Sequence, residues 1–101
     1  MVIAEVSIIP IGTKTSSVSK YIAKAIESIK QQTGVSYQLT AMGTLLEGRL
    51  DDVLGAVVQM HKSVFDRETK RVVTNIRIDD RRDKKIDFCY KVQSITKKLG
   101  E

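Results

Sequence analysis

Hydrophobic and polar positions alternate from the first residues of the chain. Over 2–10, Val2, Ala4, Val6 and Ile8 fall on one side and Ile3, Glu5, Ser7 and Ile9 on the other. That period of two belongs to a half-buried strand. Pro10, Ile11 and Gly12 break it. The period then lengthens to that of a helix, with Val18, Tyr21, Ile22, Ala25, Ile26 and Ile29 on one face. Thr15, Ser16 and Ser17 offer N-caps and Gly34 a stop. Two short strand-like runs follow, 35–40 and 44–48, joined through Ala41-Met42-Gly43, whose glycine permits a hairpin turn.

Asp51 or Asp52 can cap a second helix, in which Val53, Leu54, Val57, Val58, Met60, His61, Val64 and Phe65 recur at helical spacing until Asp66 to Thr69. Residues 71–79 read as a last strand, with Val72, Thr74, Ile76 and Ile78 opposite Val73, Asn75, Arg77 and Asp79. A charged loop, 80–85, leads to Asp87, a cap for a final helix with Cys89, Val92, Ile95, Thr96 and Leu99 along one side. The order is β-α-β-β-α-β plus a C-terminal helix, the split βαβ pattern of a ferredoxin-like α+β fold. Right-handed crossovers put both main helices on one face of an antiparallel sheet and leave the other face open. Residues 1–101 read as one domain without repeat or linker.

If Val2, Ala4, Val6 and Ile8 face the helices, the open face carries Glu5, Ser7, Gln38 or Thr40, Glu47, Asn75 and Arg77 among Ile3, Ile9, Leu45 and Val73. An apolar patch of several hundred square ångströms seldom stays exposed. A second subunit is the expected cover, giving a dimer or tetramer through sheet faces. A pocket between two such sheets would set carboxylates and hydrogen-bonding groups among aliphatic side chains, as small-molecule sites do. A plain polar dimer interface accounts for the same pattern. The crossovers also predict that Gly12-Thr13 and Met42-Gly43-Thr44 are neighbours.

Composition narrows the classes. Hydrophobic residues make up 42% and charged residues 29% of the 101-residue chain, ordinary for a soluble domain. No apolar run approaches the ~20 residues of a membrane helix. The single cysteine, Cys89, cannot form an internal disulfide, so the cytoplasm is the expected compartment. Cys89 reads as a buried structural thiol, and His61, lacking a second ligand at metal spacing, as a packed or rim histidine. No metal site, cofactor or catalytic group is expected.

The net charge of +5 lies in the C-terminal third. That excess suits phosphate-rich partners or a solvated surface. Asp79-Asp80-Arg81-Arg82-Asp83 neutralises itself and reads as a salt-bridge network at a subunit contact rather than a cation site. An RNA-binding module shares the β-α-β-β-α-β order but stacks bases on aromatic residues of its central strands. Neither the first strand nor 44–48 has one, so nucleic acid is not the expected partner. Pro10-Ile11-Gly12-Thr13-Lys14 lacks the arginine that an acyl-phosphate hydrolase of this topology would need.

Three segments carry a family resemblance: Ile9-Pro10-Ile11-Gly12-Thr13, Met42-Gly43-Thr44-Leu45-Leu46-Glu47-Gly48, and Ile76 through Lys84. The chain resembles the small thiamine-binding protein family over nearly its whole length. The resemblance implies ferredoxin-like domains paired through their sheets into dimers and tetramers. It further implies binding of thiamine or its hydroxymethylpyrimidine part, without catalysis. For such a cation with an aminopyrimidine ring, Glu47 is the first candidate carboxylate and Glu5 the second. Ser7, Thr13, Thr40, Thr44 and Asn75 are candidates for neutral hydrogen bonds. A structural or regulatory homo-oligomer with another small-molecule or anion effector is the alternative.

Overall fold

The computed structural model of the protein describes residues 1–14 and 18–100. The elements are β1 (Val2–Ile11), α1 (Ser19–Ile29), β2 (Val35–Thr40), β3 (Gly43–Gly48), α2 (Leu50–Ser63), β4 (Arg71–Asp80) and α3 (Phe88–Lys98). The strands form one sheet in the order β2-β3-β1-β4, with every neighbouring pair antiparallel. This is the ferredoxin-like arrangement, extended by α3.

Alternation along β1 decides where the core lies. Val2, Ala4, Val6 and Ile8 are all buried and meet Tyr21, Ala25, Ile26 and Ile29 of α1 and Val53, Ala56, Val57 and Met60 of α2. Removing these side chains from water is the main stabilising contribution, at about 1.5–3 kcal/mol for each large aliphatic residue. A buried polar pair closes one end of this core, where the Thr69 hydroxyl donates to the Tyr21 hydroxyl at 3.2 Å.

Several boundaries differ from the sequence-based expectation. β1 runs through Pro10 to Ile11, because β3 pairs with β1 only as far as Val6–Thr44 and the later residues have β4 as their ladder partner. A strand with one free side has room for a residue that lacks an N–H. The same register separates Gly12-Thr13 from the hairpin tip, since Met42-Gly43-Thr44 reaches only the middle of β1. Asp51 and Asp52 lie inside the first turn of α2, where they complement its dipole, and Arg49 holds the cap position. α2 stops at Ser63, and a turn built on Asp66, which accepts from the N–H groups of Glu68 and Thr69, leads into β4. α1 starts behind Val18 without a side-chain cap; Thr15, Ser16 and Ser17 lie outside the described residues. Asp87 caps α3 as expected, accepting from the Tyr90 N–H at 2.7 Å.

Candidate functional site

The register places Glu47 of β3 and Asp79 of β4 on either side of Ile3 in β1. Directly paired residues share a sheet face, so this trio lies on the face away from α1 and α2. Both carboxylates hold α3. The Phe88 N–H donates to Glu47 Oε2 at 3.0 Å, and Lys91 Nζ pairs with Asp79. The last helix therefore begins over the open face, and the chain covers part of that face itself.

A cavity of ≈ 820 Å³ lies between the two layers. Ile3, Glu5, Gln38, Leu45, Arg77 and Asp79 form its sheet side, and α3 contributes Phe88, Cys89, Lys91, Val92 and Gln93. Aliphatic walls, a half-buried aromatic ring, two carboxylates each paired with a cation, and two amides give this cavity the size and chemistry of an amphipathic small-molecule site. Arg77 donates to Glu5 Oε1 from Nε at 3.2 Å and from Nη2 at 2.9 Å. The Arg77 side chain is 82% exposed, so this pair opens at little cost. A cationic ligand can take its place at Glu5.

The residues expected to bind ligand divide into groups. Glu5 lines the large cavity. Glu47 holds the roof through Phe88 and is not among the lining side chains. Ser7, Thr40 and Thr44 line a separate cavity of ≈ 230 Å³ at the hairpin tip. Thr44 is 3% exposed and projects to the helix side, while the Thr40 hydroxyl donates to the Gly43 carbonyl and accepts from the Met42 N–H. Asn75 pairs with Ser7 further along the open face, and Thr13 lies past the end of β1.

Sequence reasoning did not single out Asp79, Phe88 and Lys91 as site residues. The available signal was an apolar helix following a sheet face in need of cover. Cys89 is exposed and lines the cavity, contrary to the expected buried thiol, because α3 spans an open space and has no buried residue. For the same reason Val92, Ile95 and Leu99 are 65%, 62% and 69% exposed.

His61 is partly buried at the rim of α2, with Nδ1 2.7 Å from the Thr74 hydroxyl and its ring edge-on to Phe65. Among the described residues no three His, Cys, Asp or Glu side chains converge as a metal site would need. The charged run after β4 pairs within the chain, Arg81 with Asp83 and Arg82 with Asp80. Hydrogen bonds from these arginines hold both carboxyls below the usual carboxylate range. No helix among the described residues is long and apolar enough to cross a membrane.

The sequence profile of a family described as thiamine-binding protein matches residues 4–96. The chain belongs to this thiamine-binding protein family. It is 48% identical to the UPF0045 protein YqgV of Bacillus subtilis, over 98% of both chains. The crystal structure of protein MJ1052 from Methanocaldococcus jannaschii superposes with a TM-score of 0.85 at 45% identity, covering 94% of this chain and 95% of that one. A Thermotoga maritima protein, provisionally ascribed to thiamine biosynthesis or salvage, shares the fold with a TM-score of 0.74 at 22% identity, covering 93% and 97% of the two chains.

Within the family resemblance, the Met42–Gly48 run has a physical basis. A Cβ on Gly43 would lie 2.8 Å from the Val6 carbonyl, and one on Gly48 would collide with the carbonyl of Gly34. Both glycines let backbones approach where β3 enters and leaves the sheet.

Proposed function

We propose that the protein binds thiamine or its hydroxymethylpyrimidine part, without catalysis, in the cavity between the open sheet face and α3. The observation that carries this reading is the carboxylate of Glu5 in a cavity whose surface is mostly apolar and which Phe88 also lines. A thiazolium cation or an aminopyrimidine needs a carboxylate to offset charge or accept a hydrogen bond, together with apolar or aromatic surface for its ring. Glu5 is the direct contact in this reading, Asp79 a second carboxylate, and Glu47 the residue that keeps the roof in place. Family membership supports the ligand class, as does the thiamine role ascribed to the Thermotoga protein.

The rest of the open face and the exposed apolar stripe of α3 pack against a second copy in this reading, giving a dimer or tetramer. Ile9 and Val73 on the sheet are 43% and 38% exposed, and Val92, Ile95 and Leu99 of α3 are more exposed still. An unpaired exposed thiol at Cys89 suits a reducing compartment, so we place the protein in the cytoplasm.

Thermal melts with thiamine, its phosphates and the free pyrimidine test the ligand. A compound at 100 times its Kd adds about 2.7 kcal/mol, a rise of roughly 10 to 20 °C for a domain of this size. Glu5→Gln, which keeps shape and removes charge, should weaken binding about ten- to hundredfold. If no compound shifts the melt at millimolar concentration, the protein is a structural or regulatory oligomer with another effector.

A further inference from the structure

Val2 pairs with Gly48 on one side and Asp80 on the other, so β3 and β4 leave the sheet beside each other at the start of β1. The next residues, Arg49 and Arg81, emerge at the same edge. Ile86, 3% exposed, fixes the far end of the loop that follows β4. Arg49, Arg81, Arg82, Lys84 and Lys85 consequently line one cavity of ≈ 690 Å³ at the N-terminus of α2. Asp79 and Asp80 are successive strand residues and point to opposite faces. Asp79 belongs to the cavity under α3 and Asp80 to this one, which puts the two cavities on opposite sides of the sheet.

Pairing within the chain leaves a net positive charge here. Arg81 is neutralised by Asp83 and Arg82 by Asp80. Arg49 and Lys85 make no ion pair among the described residues, and the Lys84 ammonium lies 4.8 Å from the centre of the Tyr90 ring rather than on a carboxylate. Among the unpaired lining side chains of the described residues, the carboxylate of Asp51 alone stands against Arg49, Lys84 and Lys85, a surplus of about two positive charges. A phosphate monoester carries about −1.5 to −2 at pH 7. The first turn of α2 has no side-chain cap, so its N–H groups and dipole add to the attraction.

We propose that this cation-lined cavity is a second binding site, taking the phosphate or diphosphate group of a small metabolite. It is independent of the thiamine reading, because it shares no lining residue with the cavity under α3. Arg49 supplies a planar fork for phosphate oxygens, and Lys84 and Lys85 act as point charges. Asp51 sets the limit on affinity.

Calorimetric titration of the full chain with inorganic phosphate and pyrophosphate tests the proposal. Pyrophosphate should bind in the micromolar to low millimolar range, and more weakly as salt rises. Arg49→Gln and Lys85→Gln, both at exposed positions, should each weaken it about tenfold with circular dichroism unchanged. Asp51→Asn should tighten it several-fold, the opposite sign. Thiamine binding, measured in parallel, should not respond to Arg49→Gln. The proposal is overturned by absence of binding at 10 mM pyrophosphate (about 2.7 kcal/mol of affinity), by unchanged affinity in both cation variants, or by binding of a single-stranded oligonucleotide without pyrophosphate binding.

Discussion

Glu47 Oε2 accepts the backbone N–H of Phe88 at 3.0 Å, tying the open sheet face to the first residue of α3. A carboxylate at this end of a helix meets an unsatisfied N–H and the positive pole of the dipole at once. Asp87, at the cap position, does the same for the N–H of Tyr90, two residues further into the helix. Because α3 has no buried residue, these polar attachments and the Lys91–Asp79 pair do much to set the cavity's height.

Glu47→Ala should therefore loosen α3 while leaving the sheet intact. Loss of a partly exposed charged hydrogen bond amounts to about 1 kcal/mol, or roughly fivefold faster amide exchange over residues 88–98. Exchange in β1 and β3 should not change. Glu47→Gln retains an acceptor oxygen and should fall between the two. Unaltered protection of 88–98 in the alanine variant would show that α3 is held by something else.

The assembly prediction concerns the apolar stripe of α3, whose residue Val92 also lines the cavity. Val92, Ile95 and Leu99 form one exposed stripe, and stripes of this kind are covered in stable proteins. Sedimentation at micromolar concentration should give a dimer or tetramer. Ile95→Asp should shift it toward monomer without loss of helix signal. A wild-type monomer rules out the interface, and an unaffected oligomer moves it to another surface.

Acid stability provides a third test. The Thr69 backbone N–H, with that of Glu68, holds the Asp66 carboxyl below its ordinary value. A carboxyl lowered on folding contributes stability above its unfolded pKa, near 3.9, and loses it as pH falls through the folded value. Asp66→Asn should thus melt below wild type at pH 7, and the gap should close below about pH 4. A gap that stays constant to pH 2.5 would mean that charge at Asp66 plays no part.

Much of the fold was legible because β1 states both of its faces in a strict alternation, and α1 and α2 repeat apolar residues at helical spacing. The position of α3 was not. Its stripe of Val92, Ile95 and Leu99 reads as a packed face, yet helical spacing carries no information on which surface covers it. Glu5 was readable as an open-face carboxylate from its place between Ala4 and Val6. The structural use of Glu47 was hidden, since its partner is a backbone N–H, which no residue type announces. The face of Thr44 was legible too, since alternation with Leu45 and Glu47 puts it on the helix side, where it is buried opposite Val6.

The glycines of the Met42–Gly48 run give the last prediction. A methyl group at Gly48 meets the Gly34 carbonyl and lies 3.4 Å from Val53 Cγ2, so main chain rather than a flexible side chain must yield. Gly48→Ala should cost about 1–3 kcal/mol, a fall in Tm of roughly 5 to 20 °C. Gly55, inside α2, is the internal contrast. Its added Cβ would touch only the Gln32 amide at 3.7 Å, and alanine is the better helix former by about 0.8–1 kcal/mol. Gly55→Ala should raise Tm by a few degrees. Thermal melts of the two variants beside wild type check both signs, and equal effects would mean that glycine at Gly48 is not demanded by the backbone approach to Gly34.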